Sequence, residues 1–256
     1  MLALNTEDSM TRFIGVGAVV AAMAVASVAG AQEFAQGGQV VVAAERLTGV
    51  FSDHITVEAG SEESKIDATR VAVLGMPTAW SAQALIAGPA SVPRLAADVF
   101  VIKGLSLGGS IMYLNDSGSS RESDPPDPTV RRDLPTTNTF IFSPRIGYGL
   151  QVGQNFAIWP RAGITYANYR LSQERTDPGP PPTTTEDKIS IDMTDVSIEF
   201  MLAILPVDHF TVLVGPYIDI PLGGGEKITS NGVRQALEPD VSYLSFGLSV
   251  GLGGFF

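Results

Sequence analysis

Val241-Ser-Tyr-Leu-Ser-Phe-Gly-Leu-Ser-Val-Gly-Leu-Gly-Gly-Phe-Phe256 is the stretch that decides how this chain is read. Leu244, Phe246, Leu248, Val250, Leu252 and Phe256 fall on alternate positions and make one apolar face, interrupted by Gly254. The positions between them, Tyr243, Ser245, Gly247, Ser249, Gly251, Gly253 and Phe255, are mostly small and weakly polar. A period of two describes a β-strand whose two faces meet different surroundings. One face of this strand asks for hydrocarbon, and the other for a narrow, weakly polar space.

The same alternation recurs upstream. Strands are predicted over residues 39–51, 94–102, 105–114, 140–152, 156–169, 191–205 and 210–222, so the closing stretch is the eighth. Phe140, Phe142, Ile146, Tyr148, Leu150 and Val152 alternate with Ser143, Arg145, Gly147, Gly149 and Gln151; Val196, Ile198, Phe200, Leu202 and Ile204 alternate with Asp195, Ser197 and Glu199. Short turn signals lie near Lys103, Gln154 and Val207, and long connections cover residues 60–91, 115–138, 172–187 and 223–240; within the first, Arg70-Val-Ala-Val-Leu74 suits a strand extended above the barrel. An even strand number with alternating short and long connections is the pattern of a transmembrane β-barrel. Each predicted strand has about the 9–11 residues that a tilted strand needs to cross a bilayer, and closure leaves no sheet edge unpaired in lipid. A soluble eight-stranded barrel would put its apolar face inside and charges outside, whereas here the non-apolar face is largely Gly, Ser and Thr. Pro144, Pro160 and Pro216 fall on the outward face, where each costs a ladder bond or marks a bulge.

Composition agrees. The 256 residues include 27 glycines and no cysteine, and 27 acidic against 16 basic residues give a net charge of -11. The missing cysteines exclude a disulfide framework and cysteine-based zinc or nucleophile chemistry, and the acidity argues against nucleic acid as a partner. No apolar run in the body is long enough for a membrane helix. The exception in kind is the N-terminus: Arg12, the Ala/Val/Gly-rich run over residues 13–28 and Ala29-Gly30-Ala31 predict a signal peptide over residues 1–31, cleaved after Ala31. Glu7 and Asp8 do not suit its positive leading region, which points to Met10 as the start. Residues 32–38 are then a short periplasmic segment, and residues 39–256 the barrel domain.

The pattern over residues 39–256 resembles the eight-stranded outer-membrane barrel family, the group of the OmpA transmembrane domain and the opacity-like surface proteins. The resemblance rests on the alternating strands, the loop rhythm and the terminal Phe256. It implies an all-β, antiparallel up-and-down barrel in the Gram-negative outer membrane, with Phe256 as the signal read by the barrel-assembly machinery. It does not extend to cell-wall anchoring.

Counting residues up from the turn end of each strand puts Glu45, Arg145, Arg161 and Glu199 at one level inside the barrel. Two readings stand: a plug that blocks ion flow, or plain filling of a narrow interior. A regular ladder would turn Arg46 into lipid at a cost of about 2–4 kcal/mol, so either a β-bulge near residues 44–46 or a slip in the register of the first strand is expected. Tyr113, Phe140, Phe142, Phe156, Tyr166 and Phe210 form the expected aromatic girdles at the two membrane interfaces. His54 and His209 are the two histidines. The run Ser52-Asp53-His54 is a poor triad because neighbours on a strand point to opposite faces, and Asp116, Glu122, Asp124 and Asp127 lack calcium-loop spacing. No catalytic, metal or cofactor residue is therefore assigned. The expected function is that of a non-enzymatic structural and surface-interaction barrel, a monomer surrounded by outer-membrane lipid and lipopolysaccharide; a small gated pore and a lipid-modifying enzyme or protease are the alternatives.

Overall fold

The computed structural model describes residues 33–59, 62–73, 92–117, 119–122, 130–133, 136–177, 183–230, 233–234 and 240–256. The expected signal peptide lies outside these residues, as do Asp124 and Asp127 and the side chains of Asp116 and Glu122.

The strands are β1 (Val40–Ala59), β2 (Glu62–Val73), β3 (Arg94–Phe100), β4 (Leu105–Asp116), β5 (Ser119–Glu122), β6 (Val130–Asp133), β7 (Thr136–Tyr148), β8 (Leu150–Gln151), β9 (Phe156–Asp177), β10 (Thr183–Val207), β11 (Phe210–Ser230), β12 (Val233–Arg234) and β13 (Asp240–Phe255). Eight of them form an antiparallel ring in the order β1, β3, β4, β7, β9, β10, β11, β13, and β13 pairs with β1 to close it. The seam runs from Val41 opposite Phe255 to Glu58 opposite Asp240. β8 continues the line of β7 against β9, and β5 and β6 form a separate pair.

Two expectations need correction. The connection over residues 60–91 contains β2, which pairs with β1 over residues 48–59, above the stretch where β1 pairs with β3. A strand fits there because Ile66, Ala68 and the Val71–Val73 run are apolar or β-branched at a strand's spacing. β9, β10 and β11 are 22, 25 and 21 residues long and run deep into the connections expected after residue 172 and residue 223. They were predicted too short because the outward apolar residues stop where the membrane stops, while the hydrogen-bonded ladder goes on. The N-terminal segment crosses the turn end of the barrel.

The outward prolines resolve simply. Pairing between β7 and β9 skips Ser143 and Pro144, and skips again at Tyr148, opposite Pro160; pairing between β10 and β11 skips Phe200, opposite Pro216. Register is the same on both sides of each gap, so a missing N–H costs local ladder bonds without a bulge.

Side chains sort cleanly. Leu95, Ile111, Tyr113, Phe142, Ile146, Ile164, Phe200, Phe246 and Leu248 are exposed on the outside. The lumen holds an apolar layer at the turn end, around Phe100, Trp159, Met201, Leu205 and Phe255. A second apolar layer fills the loop end, around Phe51, Ile141, Tyr217 and Tyr243. Between them lies a layer of charge.

Candidate functional site

The charged layer begins with the β1 bulge. Pairing with β13 shifts between Ala44 and Thr48, and Arg46 takes a left-handed backbone with φ of 54°. The bulge lets consecutive residues Glu45 and Arg46 both enter the lumen, each 2% exposed. A regular strand would have sent one of them into hydrocarbon.

β3, β7, β9, β10 and β11 supply the rest. Arg145 donates to both carboxylate oxygens of Glu45, at 2.6 and 2.8 Å, and to both of Asp98, at 3.0 and 2.5 Å. Arg161 donates to Glu45 at 2.5 Å, and its other terminal nitrogen lies 2.6 Å from Glu199. Arg46 donates to Asp219 at 2.8 and 3.3 Å and to Glu199 at 3.1 Å. Arg94 is buried and opposite Glu45 in the β1–β3 register. Four arginines thus face four carboxylates in one layer, which is the condition for burying charge at tolerable cost. Two of the guanidinium groups also lie over aromatic rings: Arg46 over Tyr217 at 4.3 Å and Arg161 over Trp159 at 4.7 Å.

The structure brings Glu45, Arg145, Arg161 and Glu199 together, with Arg145 and Glu199 3.6 Å apart. Sequence reasoning missed Arg94 and Asp98, although both alternate with Leu95, Ala97 and Val99 and so had to face inward. Asp219, which alternates with the outward Ile218 and Ile220, joins the same layer from β11. Room for the long side chains comes from glycines on the walls: a Cβ at Gly163 would stand 2.8 Å from that of Arg145, and one at Gly147 would stand 2.9 Å from Cγ of Arg161.

Toward the loop end, Ser143, Thr165 and Ser197 form a hydroxyl chain with 2.8 and 2.6 Å steps. Tyr243 and Ser245 both donate to Asp53, the latter at 2.8 Å. Asp195 is buried, and neither of its carboxylate oxygens accepts a hydrogen bond from the described residues. A cavity of about 10 Å³ lies among Ser143, Arg145, Arg161, Gly163, Ser197 and Glu199; that is room for about one water.

Ser52, Asp53 and His54 do not converge. Asp53 points into the lumen, whereas His54 faces outward, 2.5 Å from Asp67 of β2 and stacked on Phe246. His209 sits in the β10–β11 turn with φ of 61°, its Nδ1 2.9 Å from the Phe255 carbonyl oxygen. No group of three metal-ligating side chains occurs among the described residues.

Tyr113, Phe140, Phe142, Phe156 and Tyr166 are exposed on the outer wall, Phe210 is half-buried, and Phe256 is exposed beside the seam. Tyr113 pairs with Phe140, and Phe142 with Tyr166, so four aromatics cluster on β4, β7 and β9. Directly above them the outward side chains turn polar: Asn115, Asn138, Arg170, Ser190 and Lys227 occupy one row across five strands.

No family pattern matches the sequence, and no curated relative does. Among solved structures the chain is similar to Ail, the attachment invasion locus protein of Yersinia pestis, at 11% identity and a TM-score of 0.36 over 86% of this chain and 100% of that one. It is similar to Neisserial surface protein A, at 11% identity and a TM-score of 0.34 over 85% and 97%, and to the outer membrane protease OmpT from Escherichia coli, at 9% identity and a TM-score of 0.38 over 88% and 99%. The membrane assignment rests on the chain's own wall: a closed ring, an apolar exterior and a lumen that holds the charge. This chain is an eight-stranded, antiparallel transmembrane β-barrel of the outer-membrane type.

Proposed function

We propose that this protein is a closed outer-membrane barrel with a structural and surface-interaction role, not a channel and not an enzyme. The observation that carries this reading is the filled lumen. Arg46, Arg145 and Arg161 are cross-linked by Glu45, Asp98, Glu199 and Asp219 from wall to wall, and apolar layers lie above and below. An ion crossing this layer would have to break several buried charge pairs at once, each worth roughly 3–5 kcal/mol to disrupt. What the barrel offers a partner is its outer end. There β9, β10 and β11 run on beyond the apolar belt, and Asp240, Glu58 and Glu63 lie side by side on β13, β1 and β2.

The reading includes export by the N-terminal signal, insertion through recognition of Phe256 by the barrel-assembly machinery, and an outer leaflet of lipopolysaccharide around a monomer. The test is electrical. Refolded protein in a planar bilayer should give no steady current, and Arg145→Ala should give at most brief, small openings. Long-lived unitary steps from the unaltered protein would replace this reading with the pore.

A further inference from the structure

The residues before β1 close the turn end of the barrel. Phe34 is 1% exposed, and its ring meets Phe100, Trp159 and Phe255 edge-on at 5.4, 5.6 and 5.6 Å. Its backbone N–H donates to the Gln151 side chain at 2.6 Å. Gly38 N–H donates to the Phe100 carbonyl at 2.7 Å, and Gly104 N–H to the Ala35 carbonyl at 2.9 Å. Gln39 folds back on the same segment: its carboxamide oxygen accepts from Ala35 N–H at 2.7 Å, and its Nε2 donates to the Glu33 carbonyl at 3.2 Å. The segment is thereby tied to the β3–β4 turn, to β8 and to the rings of β3, β9 and β13.

Two features mark it as an addition to the wall. The strand pairings of β1 begin at Val40, opposite Val99, and at Val41, opposite Phe255; before them the backbone meets the ring strands through the bonds of Gly38 and Gln39 to Phe100, and residues 33–37 lie outside both ladders. Ala35 holds a left-handed φ of 66°, a conformation that a non-glycine residue adopts only when surrounding contacts impose it. The wall in turn is shaped to receive the segment, since a Cβ at Gly149 would stand 2.7 Å from that of Ala35.

We propose that Glu33–Gln39 is a stopper for the periplasmic mouth, keyed by Phe34 and removable without opening the barrel. It keeps the aromatic layer of Phe100, Trp159 and Phe255 dry, and it acts in series with the charged layer above. Releasing it would bare an apolar box at the mouth while the wall and the charge pairs stay in place.

Trp159 reports on this directly. The chain has two tryptophans, so a Trp80→Phe background leaves Trp159 as the single emitter. With the stopper seated, its emission should be blue-shifted and shielded from an aqueous quencher such as acrylamide. Phe34→Ala should shift the emission to the red and raise quenching severalfold, with heat-modifiable migration and β-sheet circular dichroism unchanged, while Phe34→Leu should stay close to the parent. Unchanged shielding in Phe34→Ala would overturn the seal. Loss of heat-modifiable migration in the same variant would overturn removability, because the segment would then be part of what holds the wall together.

Discussion

Within the lumen, two buried charged residues carry opposite stability predictions. Arg145 is bonded to Glu45 and Asp98 and is buried with them. Truncating it takes Asp98 away from its arginine and leaves Glu45 with Arg161 alone, so Arg145→Ala should destabilise the barrel by about 3–5 kcal/mol. Asp195 is also buried, but its carboxylate has no hydrogen-bond donor among the described residues. Asp195→Asn keeps the shape and removes a buried charge that accepts no hydrogen bond from the described residues, so it should be neutral or stabilising by about 1 kcal/mol. Urea unfolding of both variants in lipid vesicles, followed by tryptophan emission, measures the difference. A substantial loss on Asp195→Asn would mean that the carboxylate has a partner in the working protein. The sequence made Glu45, Arg145, Arg161 and Glu199 legible because strand alternation fixes the face and turn position fixes the height. It could not say which acid binds which arginine, since that depends on how eight strands are staggered around the ring.

On the scale of single elements, β1 shows how a local defect serves the whole. A strict period of two cannot put Glu45 and Arg46 on one face; of the bulge and the register slip that the sequence left open, the register shift after Ala44 supplies the bulge. The cost is a non-glycine residue with positive φ at Arg46, offset by the bonds its side chain makes to Asp219 and Glu199. The two contributions can be separated. Arg46→Ala and Arg46→Gly both remove the side chain, but glycine adopts this backbone freely. Both should be less stable than the parent, with Arg46→Gly ahead of Arg46→Ala by about 1 kcal/mol; equal stabilities would show that the bulge relaxes once the arginine is gone. The N-terminal stopper was illegible for a related reason. Glu33-Phe34-Ala35-Gln36-Gly37-Gly38 has no periodicity, and only the ring of aromatics waiting at the turn end gives Phe34 its place. Only the end of β2, over residues 70–73, was legible; its first half was hidden by composition, because Glu62, Glu63, Lys65 and Asp67 read as a solvated loop until paired with β1.

Across the whole molecule, the apolar belt sets the fit to the bilayer. On β13 it runs from Phe246 to Phe256, ten steps that at about 3.3 Å each and a tilt near 40° span roughly 25 Å. Above it the outward row turns to Asn115, Asn138, Arg170, Ser190 and Lys227, side chains that hydrocarbon would not tolerate. The 25 residues of β10 far exceed the 9–11 that cross a membrane, so a large part of the wall stands clear of the bilayer. Mismatch between belt and bilayer costs a fraction of a kcal/mol per Å, shared by the entire perimeter. Refolding from urea should therefore be fastest and most complete in vesicles of short-chain lipids such as dilauroyl or dimyristoyl phosphatidylcholine, and should fall off in longer-chain lipids that would draw the polar row into hydrocarbon. The shift of the folded band on unboiled gels measures the yield. Replacing Arg170 and Lys227 together by leucine lengthens the belt on that side and should move the optimum toward longer chains; an optimum that ignores both chain length and this substitution would show that the belt does not set the depth of the barrel.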